Sequence, residues 1–451
     1  MRSPLHLSAL ALCAAPAVAQ NVESANQAET SVPANTLILI ADDLGVDMVG
    51  AYAESSVAPY TPNIDRIAVS GMLFRNAWTA PMCSPSRATI QTGRQPHQTG
   101  IGFVLTDDAE GIDTDETTLP EMLAQHPDHD FTSGLFGKWH LGGGNTGPAD
   151  NGYDVYKGYP NNLYAPQSYF DFTRFDNGVP VQVTTYATTD TVDQALAWIA
   201  TAPEPWLCVV SFHAPHEPFH VPPSDLHKVD VSHGHPRFNP RPLYEAAVQA
   251  MDTEIGRLMD TLGGQLDRTN VFFMGDNGTP RRASVAPFLP EHAKLTPYEG
   301  GINVPFIVRG PAVAQVGSET VGLINLADLY ATVADLSGVD LSTVTDAEHP
   351  LDSISMRPYL EHPDHASMRQ MVLAEAFKPG ILPGVNDFSW FMLRDGRYKF
   401  ILIDDGGYTL EMYDLESDPF ESCNLVGCGL NAEQSAALSN ALLELRELLL
   451  N

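Results

Sequence analysis

Apolar runs of five to seven residues recur along this chain, and most of them end in a side chain capable of chemistry. Thr36-Leu37-Ile38-Leu39-Ile40-Ala41 closes on Asp42-Asp43. Residues 132–137 lead into Lys138-Trp139-His140, Trp206 to Phe212 into His213-Ala214-Pro215-His216, and 270–275 into Asp276-Asn277. Runs of this kind, without apolar–polar alternation, predict strands buried on both faces. Val304 to Val308 reads as another. Between them, apolar residues at helical spacing predict helices over 61–70, 119–125, 190–199 and 244–262. Alternating strand and helix predicts an α/β fold, a large and mostly parallel sheet sandwiched by helices. Ligands of such sheets bind beyond the carboxyl ends of the strands. That is where these carboxylates, amide, lysine and histidines fall.

The pattern shifts near residue 365. Short runs at 371–377, 389–393, 397–403 and 410–415, with turns at Asp395-Gly396 and Gly406-Gly407, predict a small antiparallel sheet. A helix from about 432 to 450 follows, with Leu438, Leu442, Leu445 and Leu449 as its apolar stripe. The expected organisation is a catalytic α/β domain over 35–365 and an α+β subdomain over 366–451. Residues 1–19 read as a signal peptide: Arg2, an apolar run from Leu5 to Val18, and Ala17-Val18-Ala19 as the cleavage site. The run is too short to span a bilayer. A secreted or periplasmic protein without membrane anchor is therefore expected. Of the cysteines beyond this leader, Cys423 and Cys428 are near enough to pair in an oxidising compartment, and Cys208 reads as core packing.

Composition changes the picture in one respect. The 451 residues carry 24 lysines and arginines against 56 acidic residues, a net charge of −32. This excludes nucleic acid and anionic membranes as partners. An anionic substrate would need a locally basic site, effective because distant carboxylates are screened beyond roughly 10 Å at 0.1 M salt. With only six lysines in the chain, their placement is informative.

The chemistry centres on Cys83-Ser84-Pro85-Ser86-Arg87, continuing to Thr92-Gly93-Arg94. Pro85 fixes a turn, and one helical turn returns Arg87 to the side of Cys83. A helix start favours anions through its unpaired amides and dipole. Asp42, Asp43, Asp276 and Asn277 offer oxygen ligands only, a set suited to Ca²⁺ or Mg²⁺ over Zn²⁺.

The run around Cys83 resembles the signature of the type I sulfatases, arylsulfatase-like members of the alkaline-phosphatase-like superfamily. In that family the cysteine is converted to formylglycine. The resemblance implies a maturation enzyme acting on Cys83, and one divalent ion, usually calcium, held by Asp42, Asp43, Asp276, Asn277 and the modified residue 83. Gly137-Lys138-Trp139-His140-Leu141-Gly142 resembles a further family element. It makes Lys138 a sulfate ligand and His140 a base that regenerates the aldehyde. Ala214-Pro215-His216-Glu217-Pro218 resembles another family segment, and the resemblance implies that His216, not His213, is the donor to the leaving oxygen, a task suited to a pKa near 6.5. Lys294 to Gly301 resembles the segment of the second sulfate-binding lysine, Lys294. The implied reaction hydrolyses aryl or saccharide sulfate monoesters by attack of the hydrated aldehyde on sulfur, with Arg87 favouring its anionic form. Two alternatives remain open: a phosphodiesterase or phosphonate monoester hydrolase of the same superfamily, or an unmodified anion- or glycan-binding protein. Pocket walls are expected from 153–180 and 217–242. His220, His227 and His233 are expected on a solvated rim rather than at zinc.

Overall fold

The computed structural model describes residues 32–106, 108–344, 349–380 and 386–448. The leader sequence and Leu449 lie outside them. Ten strands form the large sheet: β1 Asn35–Asp42, β2 Met72–Trp78, β3 Thr132–Gly137, β4 Val155–Gly158, β5 Phe172–Asp176, β6 Val179–Val183, β7 Trp206–Pro215, β8 Thr269–Gly275, β9 Phe306–Arg309 and β10 Ser318–Asn325. Their order across the sheet is β10-β2-β9-β8-β1-β7-β3-β4-β5-β6.

The centre is parallel. Strand β1 pairs in parallel with both β7 and β8, and β3 pairs in parallel with β7. Four chain segments therefore leave the sheet side by side at one rim. All eight residues of β1 are buried. Leu37, Leu39 and Ala41 enter one hydrophobic cluster, and Ile38 and Ile40 the other. The first cluster takes in the helices Pro62–Val69, Ala187–Ile199 and Arg241–Leu262. The second takes in Cys83–Thr92 and Asp328–Ser337. A strand with apolar side chains on both faces is stable only when both faces are covered.

Strand β9, expected as one more run of the parallel kind, is antiparallel to both neighbours, β2 and β8. The chain turns back after β8 and re-enters the same sheet edge without a full crossover. A short fully buried run carries no directional signal, so its pattern could not distinguish the two cases.

Four strands, β11 Val372–Pro379, β12 Asn386–Arg394, β13 Tyr398–Asp404 and β14 Tyr408–Asp414, form an antiparallel sheet in sequential order. One face shares a cluster with Trp78, Ile302 and Leu323 of the large sheet's side. The other receives the helix Ala432–Leu448. The stripe of that helix differs from expectation. Ala441 and Leu445 are buried and Leu438 and Leu448 pack beside them, while Leu442 is 41% exposed. Spacings of three and four from Ala441 describe the contact better than a row of leucines, because a small residue lets the helix approach the sheet closely.

Candidate active site

At the rim where β1, β3, β7 and β8 end, Asp42, Asp43, Cys83, Arg87, Lys138, His140, His216, Asp276, Asn277 and Lys294 come together. Cys83 starts the helix Cys83–Thr92, all of whose residues are buried. Its Sγ lies 3.4 Å from Asp42 Oδ1, 3.8 Å from Asp43 Oδ1 and 3.5 Å from Lys294 Nζ. Arg87, one turn on, donates through Nε to Asp276 Oδ2 at 2.9 Å and through Nη1 to Ser211 Oγ at 2.7 Å. Lys138 is fully buried and donates to Asp42 Oδ2 at 2.5 Å and Asn162 Oδ1 at 2.6 Å. Lys294 donates to Asp43. Asn277 Nδ2 donates to Asp43 Oδ1 at 2.8 Å, and the Asp43 amide to Asp276 Oδ1 at 3.0 Å. Three cations thus face three buried carboxylates.

Burial opposes charge on Asp42, yet Lys138, His216, Arg87 and Lys294 together hold its carboxyl well below the usual range. Asp276 moves the other way, raised by burial and by the Asp42 charge. Burial also raises the Cys83 thiol, so the unmodified cysteine is protonated and a poor nucleophile.

The two histidines of the β7 end separate by partner. His213 Nε2 faces the carbonyls of Tyr159 and Asn161 at 3.0 and 3.1 Å, and burial lowers its pKa to about 3. It is a structural side chain. His216 Nδ1 lies 2.6 Å from the Glu217 carbonyl, which can only accept, so the hydrogen sits on Nδ1. Its Nε2, 3.7 Å from Asp43 Oδ2, is left to exchange a proton. Burial lowers the His216 pKa, with Asp43 and Asp42 opposing.

Of the six non-glycine residues with positive φ among those described, three belong to this site: Asp43 at 69°, His140 at 59° and Leu295, beside Lys294, at 65°. Such backbone costs about 1–3 kcal/mol per residue and persists where surroundings enforce it, commonly at functional sites.

One oxygen or sulfur of each of Asp42, Asp43 and Cys83, with one nitrogen of His216, lies within 4.8 Å of the others. The Asn277 Oδ1 is buried and accepts no hydrogen bond. A buried orphan acceptor next to clustered carboxylates is what a hard cation would satisfy, so the donor set fits the expected ion.

Asp43, Cys83, His140, His216 and Lys294 line a pocket of about 380 Å³, while Asp42, Arg87, Lys138, Asp276 and Asn277 lie behind it. Its walls include Asn162, Tyr164, Glu217 and Phe219, from the two expected stretches, and also Val104, Pro280, Arg281, Arg282 and Leu295, which were not anticipated. Most aromatics of 153–180 point elsewhere: Tyr153, Tyr156, Tyr169 and Phe172 are core. The histidine loop is not uniformly a solvated rim. His227 is buried, and His220 stacks on Tyr169 with centroids 3.9 Å apart. Asn162 and Ser211, which orient Lys138 and Arg87, were also missed. Neither carries a local signal, but the Arg281-Arg282 pair in so acidic a chain does.

The Sulfatase family model matches residues 34–339, about two thirds of the chain. The chain belongs to the sulfatase family. The model for N-sulphoglucosamine sulphohydrolase, C-terminal, matches residues 292–448. Human N-acetylgalactosamine-6-sulfatase is 30% identical over 370 residues, which cover 73% of this chain and 66% of that protein, just under two thirds of its length. Bovine arylsulfatase A is 28% identical over 449 residues, covering 87% and 83%. Among solved structures, Ps i-CgsB in complex with k-i-k-neocarrahexaose superposes with a TM-score of 0.77 at 25% identity, covering 92% of this chain and 93% of that one. The overall fold, with its large mostly parallel sheet and small antiparallel sheet, is thus that of solved sulfatases. Among the described residues no helix is long and apolar enough to cross a membrane.

Proposed function

We propose that this chain is a sulfuric ester hydrolase of the arylsulfatase type. Residue 83 acts as formylglycine, and Asp42, Asp43, Asp276 and Asn277 hold one divalent ion, calcium or magnesium. The observation carrying this reading is the position of Cys83. It stands at a helix start on the pocket floor, within 4 Å of two carboxylates and a lysine, in a chain of the sulfatase family. A hydrated aldehyde at residue 83 would supply two hydroxyls, one to attack sulfur and one to release sulfate, and a divalent ion held by Asp42, Asp43, Asp276 and Asn277 would favour ionisation of the first.

The remaining roles follow from the fixed side chains. With three carboxylates balancing Arg87, Lys138 and Lys294, a divalent ion would leave a local excess of positive charge. That excess suits a sulfate ester despite the chain's net −32. Lys294, on the pocket side, reaches the sulfuryl oxygens, and Lys138 holds Asp42 in place while presenting its charge from behind. Arg87 is fixed by Asp276 and Ser211 and acts at residue 83. His216 protonates the leaving oxygen from Nε2, and an arriving sulfate ester raises its proton affinity. His140, whose Nδ1 is buried without a partner, is placed to take the proton when the aldehyde is restored. Val104, Tyr164, Phe219, Pro280 and Leu295 give the leaving group an apolar wall. Such a wall fits an aryl ring or the C–H face of a sugar, so the substrate is an aryl or saccharide sulfate. Residues 1–19 direct export, and an external maturation enzyme oxidises Cys83. Residues 35–365 form the catalytic domain, with 366–451 as its subdomain.

Cys83→Ala is expected to abolish sulfate ester hydrolysis while leaving the thermal unfolding profile unchanged. Mass spectrometry of the peptide around residue 83 should show a loss of about 18 Da relative to cysteine. Full activity of Cys83→Ala would overturn the proposal. Faster turnover of a phosphate diester than of an aryl sulfate would assign the chain to the alternative phosphoryl chemistry. An intact thiol in protein that binds but does not turn over sulfated glycans would leave a binding protein.

A further inference from the structure

The pocket's wall continues outward into a basic and aromatic ledge that the reaction itself does not use. Arg282 lies over the Phe219 ring at 5.8 Å from its centroid and donates to the backbone carbonyls of Pro236 and Arg237. Both Phe219 and Arg282 line the pocket. One guanidinium therefore fastens the loop at 235–239 to the pocket wall. That loop is closed by reciprocal backbone hydrogen bonds between His235 and Asn239, at 2.9 and 3.0 Å. Its tip holds Phe238, 79% exposed, with the His235 ring 4.7 Å away on one side and the Arg237 guanidinium 5.7 Å from its centroid. Arg281, the next pocket-lining cation, is exposed and pairs with the exposed Glu291.

The local charge is far less acidic than that of the chain. Over the whole sequence acidic residues outnumber basic ones by more than two to one. Over 225–245 and 280–291 the cations Lys228, Arg237, Arg241, Arg281 and Arg282 stand against Asp225, Asp230, Glu245 and Glu291, of which Glu245 and Glu291 pair with Arg241 and Arg281. Glu217, hydrogen-bonded by Tyr164 at 3.1 Å, lines the pocket as well. Within the lining, Arg281 and Arg282 are the cations that lie next to the loop at 235–239. Its volume of about 380 Å³ is near the lower limit for ligand pockets, roughly 300–1,000 Å³, leaving a second ring outside.

We propose that Arg237, Phe238 and Arg281 form an outer subsite for the neighbouring ring of a multiply sulfated oligosaccharide. The exposed phenyl face stacks on the C–H face of that sugar, and the two guanidinium groups bind its sulfate or carboxylate in bidentate fashion. The inference rests on the sulfatase reading and names its substrate class: a polyanionic glycan entering from the side of residues 235–239, rather than a lone aryl sulfate.

The test compares wild type, Arg237→Ala/Phe238→Ala and Arg281→Ala, all with residue 83 converted. Probes are 4-nitrophenyl sulfate, a monosulfated hexose, and sulfated tetrasaccharides prepared from heparin, chondroitin sulfate and ι-carrageenan. Wild type is expected to bind at least one tetrasaccharide ten times more tightly than the hexose. The variants should lose most of that advantage and show a shallower salt dependence of affinity, while kcat/KM on 4-nitrophenyl sulfate stays within twofold in Arg237→Ala/Phe238→Ala, whose side chains do not line the pocket. The subsite is overturned if no tetrasaccharide outperforms the hexose, if the variants bind it as wild type does, or if they change only self-association in light scattering. Absence of hydrolysis of every sulfate ester by converted wild type would instead overturn the sulfatase reading beneath it.

Discussion

Lys399 offers the sharpest test of how the two sheets are joined. It lies on β13, is fully buried, forms an ion pair with Glu421 Oε1 at 2.6 Å and donates to Glu299 Oε1 at 3.2 Å, with Nζ 4.9 Å from the centre of the Trp78 ring. Glu299 sits on the connection between β8 and β9, five residues after Lys294, and its amide donates to Glu421 Oε2 at 2.6 Å. Lys399→Met keeps most of the volume but removes the charge. Glu299 keeps Arg394, 3.7 Å away, so the group left uncompensated is Glu421. Removing one partner of a buried ion pair costs about 3–5 kcal/mol, and loss of the cation–π contact adds about 0.5–2 kcal/mol. Burial already raises the Glu421 pKa, Lys399 opposes this, and Glu299 adds to it. Without Lys399 the rise is larger. A carboxyl whose folded pKa exceeds its unfolded value binds more protons in the folded state, so its contribution to stability falls as pH rises between the two values. The penalty relative to wild type should therefore be larger at pH 8 than at pH 5.5, changing by about 1.4 kcal/mol per pH unit above the wild-type Glu421 value of about 7 and up to the variant's higher one. Urea unfolding at pH 8 and pH 5.5, followed by tryptophan fluorescence, measures it. Lys399→Met/Glu421→Gln should recover much of the loss at pH 8. A single variant within about 1 kcal/mol of wild type at pH 8, or a penalty independent of pH, would refute this account.

His97 and Glu375 make a second pH-sensitive contact, with Nδ1 2.7 Å from Oε1. Burial works against the imidazolium, but Glu375 wins and raises the His97 pKa. The gain from this pair is present below the unfolded value of about 6.5 and is lost as pH climbs past the raised folded value. The stability difference between wild type and His97→Gln should accordingly be larger at pH 6 than at pH 9. In Gly158→Ala, the new Cβ would lie 1.8 Å from the Gly137 carbonyl oxygen, so β4 must move off β3, the strand that leads into Lys138. A stability loss of about 1–3 kcal/mol and a fall in kcat/KM are expected, and wild-type kinetics would show that Lys138 tolerates the shift. Calcium titrated into chelator-treated protein should raise the unfolding temperature, by an amount equivalent to about 2.7 kcal/mol at a hundredfold excess over Kd. The rise should be absent in Asp42→Asn/Asp276→Asn.

The sequence alone determined the elements that depend on short-range pattern. Apolar runs ending in Asp42-Asp43, Lys138, His216 and Asp276 announced buried parallel strands with their chemistry at one rim. A period-two or unbroken apolar pattern is imposed by the faces a strand must bury, and those faces are encoded residue by residue. The small antiparallel sheet was legible for the same reason, through its turn residues. What only the tertiary structure decided depends on residues far apart in the chain. The reversal of β9 came from the path of a connection, and the burial of Ala441 over Leu442 from the closeness of the sheet beneath. The separation of His213 from His216 came from carbonyls some fifty residues away. The pairings of Lys138 with Asn162 and Arg87 with Ser211, and the outward wall from Arg282 to Phe238, join segments that nothing local links. A side chain's type sets which partners it can accept, but the fold alone settles which partner lies within 3 Å, because packing brings together positions whose sequence separation carries no information about their distance.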